Sequence, residues 1–141
     1  METANKTRIT VEANINAPIQ KVWDYWTKPE HITQWNAASE DWHTPWAENE
    51  LKVGGKFKAR MEAKDGSFGF DFEGTYNEVQ EQKYLEYTIA DGRKVQVSFS
   101  SQGEATQVVE TFEAEDTHSI EMQKEGWQAI MDNFKKYAES K

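Results

Sequence analysis

The side chains in this sequence that could move a proton are few: His31, His43, His118, Glu110 and the adjacent Glu40 and Asp41. General acid–base chemistry needs such groups held in reach of one another. Glu110 stands in the alternating run Val108-Val109-Glu110-Thr111-Phe112, on the same face as Val108 and Phe112, where a core residue is expected. The position has a plain structural reading: a slipped register, a sheet edge, or a carboxylate satisfied by a nearby hydroxyl. It also has a functional one, a polar group inside a cavity that orients a ligand or acts as acid or base with a raised pKa. His43 follows Trp42 in an aperiodic stretch and could face Glu110 across such a cavity, giving a proton-moving pair suited to cyclase, isomerase or hydrolase chemistry. His31, in an expected exposed helix, and His118, at an expected helix start, read as solvated or capping residues. Asp41 and His43 would make two metal ligands, which do not make a site. Without a nucleophile elbow, phosphate loop, dinucleotide fingerprint or His-Glu-x-x-His motif, the expectation is no metal and no cofactor.

Composition narrows the classes further. The 141 residues fit a single domain over 1–141 with a core large enough to fold unaided. The absence of cysteine removes disulfides and thiolate nucleophiles and is compatible with a reducing compartment. With 25 acidic and 16 basic side chains the formal charge is −9, which repels phosphate backbones and anionic lipid, so no nucleic-acid partner is expected. Residues 1–6 contain no apolar signal core, and no stretch approaches the roughly 20 apolar residues of a membrane helix. The reading is a soluble cytoplasmic protein, monomer or homodimer, without membrane insertion.

The elements that must position these groups follow from periodicity. Ile9, Val11, Ala13 and Ile15 alternate with polar residues as a half-buried strand. Pro18 opens a short helix with Ile19, Val22, Trp23 and Trp26 at helical spacing, and Lys28-Pro29 ends it and begins a second, leading to Ile32 and Trp35. From Asn36 to Val53 periodicity fails, which predicts an irregular loop with aromatic anchors that could act as a lid. Period 2 returns with Phe57, Ala59 and Met61, then Phe70, Phe72, Gly74 and Tyr76, across a turn at Asp65-Gly66. Leu85, Tyr87 and Ile89 precede a second turn at Asp91-Gly92, and Val95, Val97 and Phe99 a third at Gln102-Gly103. An amphipathic helix over residues 121–139 closes the chain, with Trp127, Ile130, Met131, Phe134 and Tyr137 on one stripe and a polar cluster, Glu115 to Ser119, to cap it. Gly126 in its interior is expected to let the helix pack closely on a strand, the alternative being room for a ligand. About six antiparallel strands and a long C-terminal helix make an α+β two-layer architecture, a curved sheet gripping a helix.

Such a pair can enclose an apolar cavity. The sheet would supply Phe57, Met61, Phe70, Phe72, Tyr76, Tyr87, Val97, Phe99, Glu110 and Phe112, and the helix Trp127, Met131 and Phe134. Trp35 and Trp42 would stand at the mouth, with His43 beside Trp42 in the lid. A bulky residue in place of Gly74 would be expected to block uptake and spare the fold.

Five segments in order carry a family resemblance: Ala17-Pro18-Ile19-Gln20-Lys21-Val22-Trp23, Pro29-Glu30-His31-Ile32-Thr33-Gln34-Trp35, Val53-Gly54-Gly55-Lys56-Phe57, Gly74-Thr75-Tyr76 and Gly126-Trp127. The chain resembles the START-like helix-grip proteins, also called the polyketide-cyclase and birch-pollen-allergen-like superfamily. Its likeness is greatest to the branch named after the C-terminal domain of the activator of heat-shock protein 90 ATPase. The resemblance implies a hydrophobic cavity between sheet and helix, in a superfamily of lipid carriers, cyclases, toxin-resistance proteins and chaperone co-regulators. The chaperone activators carry a further N-terminal domain before the matching one. The function expected first is therefore binding of a small apolar molecule, such as a lipid, polyketide or aromatic compound. An enzyme using Glu110 and His43 comes next, and a chaperone-partner domain last.

Overall fold

The computed structural model describes residues 7–37 and 39–140; residues 1–6, read above for a signal core, lie outside them. Strand β1 (Arg8–Ile15) leads through Pro18 into helices α1 (Ile19–Thr27) and α2 (Pro29–Trp35). Two short strands follow, β2 (Trp42–His43) and β3 (Ala47–Asn49), then β4 (Lys56–Ala63), β5 (Gly69–Gln80), β6 (Tyr84–Ile89), β7 (Lys94–Gln102), β8 (Ala105–Glu113) and helix α3 (Ile120–Ser140). The six long strands are those the alternation predicts. The irregular loop expected from Asn36 to Val53 instead contributes β2 and β3, which pair with β4. Two or three residues are too short to show a period, so only the partner strand reveals them.

All pairings are antiparallel, in the order β1-β8-β7-β6-β5-β4-β2, with β3 also on β4. The turns at Gly66, Gly92 and Gly103 each place glycine at positive φ, the conformation a tight hairpin turn requires and other residues resist. Ser119 caps α3, its Oγ accepting from the Met122 amide at 3.1 Å. The buried Gln123 side chain holds the approach to the helix through the Glu115 amide and the Glu115 and His118 carbonyls.

How α3 sits on the sheet decides where space remains. The helix lies along β1, the edge strand, rather than over β4–β6. Its apolar stripe buries Met131, Phe134 and Ala138 in a solid core with Val11, Val97, Phe99 and Val108, closed by Trp23 and Trp26 of α1. Its flank covers the open edge of β1 with polar side chains. Gln128 donates to the Glu12 carbonyl and accepts from its amide, Lys135 donates to the Asn14 carbonyl, and Glu139 accepts from the Asn16 amide. Unpaired edge groups are thereby satisfied and the edge is closed to another chain. Gln128→Ala is expected to cost about 1 kcal/mol, measured by chemical denaturation, because two edge hydrogen bonds return to water; a change within ~0.2 kcal/mol would show that the contacts contribute nothing. Gly126 does not serve close packing, since a Cβ there would meet nothing within 4 Å.

Candidate functional site

Because α3 runs along one edge, the curl of β4–β6 on the far side encloses space the helix does not fill. A cavity of about 270 Å³ lies there. Nine of the expected residues line it: Trp35, Phe57, Met61, Phe70, Phe72, Tyr76, Tyr87, Glu110 and Trp127. The helices add Trp26, Ile32 and Ile130, the end of α2 Asn36, the strands Ala47, Glu48, Asn49, Lys58 and Ala59, and the β6–β7 turn Arg93.

The lining is mostly aromatic and well braced. Phe57 packs edge-on to Tyr87 with ring centroids 4.7 Å apart and leans on Tyr76 at 5.4 Å. Trp127 stacks on Phe112 at 3.8 Å and meets Phe72 edge-on at 6.3 Å, so it stands as the partition between the hollow and solid halves. Trp35 is held by Trp26 and Phe134, and its indole N–H donates to the Tyr25 carbonyl at 2.8 Å. Phe70, 39% exposed, marks the rim.

Polar groups in the wall are few. Tyr76 Oη donates to Asn49 Oδ1 at 2.7 Å, and Asn49 Nδ2 donates to the Thr27 carbonyl at 2.6 Å, which ties β3 and β5 to the end of α1. Burial raises the Tyr76 phenol far above its ordinary pKa, with desolvation outweighing the Asn49 contact. Arg93 Nε donates to Asp91 Oδ2 at 2.8 Å and its Nη1 to the Glu113 carbonyl at 3.1 Å. Glu110 is 6% exposed and faces inward in the register the alternation predicts, opposite Val11 on β1 and Val97 on β7. Its apolar surroundings push its pKa up to about 8.

The other seven expected residues lie outside the cavity wall. Val97, Phe99, Phe112, Met131 and Phe134 belong to the solid half of the core, where α3 and α1 close on the sheet. Trp42 is not part of the cavity wall; it packs beside the rim residue Phe70 and with Phe68 at the β4–β5 hairpin, with centroids 6.1 and 6.0 Å away. His43 does not face Glu110. Strand pairing sets it opposite Glu62, its Nε2 3.5 Å from Glu62 Oε1, on the polar outer face of β4. The proposed proton-moving pair is therefore not assembled. His31 is not a free solvated residue either: Nδ1 lies 2.6 Å from Tyr137 Oη and its ring stacks on Tyr25 at 4.2 Å, joining α2 to α3. His118 does act at the helix start, its backbone amide and ring both reaching the Glu115 carboxylate. Among the described residues no group of three or more His, Asp or Glu could hold a metal ion.

Gly74 is also not the blocking position it promised to be. A Cβ there would fall 2.6 Å from the Thr88 carbonyl oxygen and 2.8 Å from Phe57 Cζ, so any side chain would disturb the β5–β6 ladder. Residues missed in the sequence had weak signals. Asn49 and Ala47 lie in the aperiodic stretch, Arg93 follows a turn, and Trp26 and Ile32 look like packing residues at helical spacing.

A curved antiparallel sheet gripping a C-terminal helix, with two short helices after the first strand and an apolar hollow between the layers, defines a START-like helix-grip protein. The family description "Activator of Hsp90 ATPase homolog 1-like protein" matches residues 16–139, and the chain belongs to that family. A solution structure of an AHSA1-like protein from Aeromonas hydrophila is 48% identical, covering 95% of this chain and 93% of its own, with a TM-score of 0.89. A solution structure from Cytophaga hutchinsonii is 50% identical over 94% of this chain and 92% of its own, with a TM-score of 0.82. A crystal structure from Nitrosomonas europaea shares the fold at 16% identity, covering 94% of each chain, with a TM-score of 0.80. No curated protein matches the chain. No helix among the described residues is long and apolar enough to cross a membrane.

Proposed function

We propose that this protein binds a compact apolar small molecule in the cavity between β4–β6 and α3, as a single cytoplasmic binding domain rather than through the His43–Glu110 chemistry. The observation that carries the reading is the unfilled aromatic space left where α3 runs along β1. Its volume, about 270 Å³, lies just under the range of roughly 300–1,000 Å³ usual for small-molecule sites, which favours a fused-ring or similarly compact ligand over a long acyl chain. Cysteine-free composition is compatible with the cytoplasmic setting.

A chaperone partner comes second. The family name supports it, and the exposed Phe68 and Phe70, packed beside the half-buried Trp42, form the surface suited to such a contact.

The binding reading is tested by blocking the cavity at Ala59, whose buried side chain lies in its wall. Calorimetric titration with 2-acetylnaphthalene or its hydrocarbon isostere 2-isopropenylnaphthalene is expected to show uptake by the wild type. Affinity should be at least about tenfold weaker in Ala59→Phe, with the far-ultraviolet circular dichroism preserved. No uptake of either probe by the wild type, or equal uptake by the blocked variant, contradicts the reading.

A further inference from the structure

Six polar or charged side chains are buried among the described residues: Thr27, Thr44, Thr106, Glu110, Glu113 and Gln123. Five have hydrogen-bond partners. Thr27, Thr44 and Thr106 donate to backbone carbonyls, Glu113 accepts from the Lys94 amide, and Gln123 holds the approach to α3. Glu110 is the exception, since no protein group among the described residues hydrogen-bonds its carboxyl and burial alone accounts for its altered acidity. A second orphan lies on the same wall. The Tyr87 hydroxyl, on a residue only 7% exposed, has no hydrogen-bond partner there either. Both residues line the cavity, and Glu110 is close enough for its charge to act on the Tyr87 phenol.

Buried polar groups without partners are rare in native proteins, and two on one wall of an otherwise apolar cavity mark where a ligand's polar atom belongs. We propose that the ligand is a compact ring-containing carbonyl compound whose oxygen accepts hydrogen bonds from Glu110 and Tyr87. This rests on the cavity-binding reading and adds to it the chemical class of the ligand.

The choice of a carbonyl follows from what the two groups offer. Glu110 sits between Val11 and Val97, and its apolar setting keeps the carboxyl protonated through neutral pH. Burial likewise holds the Tyr87 phenol protonated well beyond its ordinary range, with the Glu110 charge adding to the effect. The wall therefore presents two O–H protons that need acceptors, and one oxygen with two free lone pairs satisfies both. A carbonyl oxygen has two lone pairs for them, and its ring system fills the space between Phe57, Phe72 and Trp127. A carboxylate ligand would bring a desolvated charge, and the cavity's cations are turned elsewhere: Arg93 is bound to Asp91 and Glu113, and Lys58 alternates on β4 with the inward Phe57 and Ala59 and so takes the opposite face. An ammonium ligand would instead require Glu110 ionised.

Three probes of nearly the same shape separate these cases: 2-acetylnaphthalene, 2-isopropenylnaphthalene, in which a methylene replaces the oxygen, and protonated 2-(1-aminoethyl)naphthalene. Titration calorimetry near pH 6.5 is expected to give the ketone about tenfold tighter than the hydrocarbon in the wild type, with the amine weakest. In Glu110→Leu the preference for the ketone should fall to about threefold or less while the hydrocarbon still binds, because one of the two donors is gone and Tyr87 remains. Glu110→Gln, whose amide still donates, should keep part of it. Equal affinity for ketone and hydrocarbon in the wild type, an unchanged preference in a folded Glu110→Leu protein, or tightest binding of the amine overturns the carbonyl assignment and leaves cavity binding standing. If the wild type takes up no probe, cavity binding itself fails and this assignment with it.

Discussion

Replacing Glu110 by glutamine is expected to flatten the loss of stability that the wild type shows as pH rises from about 4.5 to 8. In the unfolded chain the carboxyl titrates near 4.5; in the fold its burial moves that to about 8. Between those values the folded state holds a proton that the unfolded state has released, so raising the pH favours unfolding. The stability is fully present below about pH 4.5 and is lost progressively up to about pH 8, beyond which Glu110 contributes no further slope. A shift of this size corresponds to on the order of 3–5 kcal/mol, the lower end applying where water enters the cavity and solvates the carboxylate. The groups around Glu110 do not compete in this window: Val11, Val97, Val108 and Phe112 carry no charge, and Tyr87 stays protonated. Other titrating groups act equally in both proteins, so the difference between their urea-derived stabilities isolates Glu110. Parallel stability curves for the two proteins from pH 5 to 9 would show that the carboxyl is not buried as described.

Phe134→Ala should lose about 3–5 kcal/mol of stability at any pH, because it removes a ring from the solid half of the core. Phe134 is fully buried and meets Trp26 and Trp35 edge-on, with both centroids 4.9 Å away. It joins α3 to both short helices at once, and its neighbours cannot collapse into the gap without moving an element. The loss should appear as a lower denaturation midpoint. A cost below ~1.5 kcal/mol would mean that the short helices rearrange freely, and with them the Trp35 side of the cavity.

These two residues also show what the sequence could and could not convey. Alternation in β8 places Glu110 inward without ambiguity once the register is taken as written, because a slip by one residue would expose Val108 and Phe112. The hairpin turns, the two short helices and the stripe on α3 were legible for the same reason, a local period or a local stop signal. Phe134 looks like a cavity residue in the sequence because a stripe gives the buried face of a helix but not its offset across a sheet. That offset, along β1 and away from β4–β6, is set by tertiary contacts such as Gln128, Lys135 and Glu139 on the β1 edge. It decides which half of the inner face is solid and which is hollow. The outward turn of His43 is hidden for a related reason. Its strand is two residues long, and pairing with Glu62 turns it to the outer face.

A compact apolar molecule bound between β4–β6 and α3 should be detectable there. Nuclear magnetic resonance titration of isotope-labelled protein with 2-acetylnaphthalene tests it most directly. Shifts are expected to saturate at one equivalent and to concentrate at Phe57, Phe72, Tyr87, Glu110 and Trp127, with the β1 edge unmoved. Absence of shifts, or shifts confined to Trp42 and Phe68 outside the cavity wall, would contradict binding in the cavity.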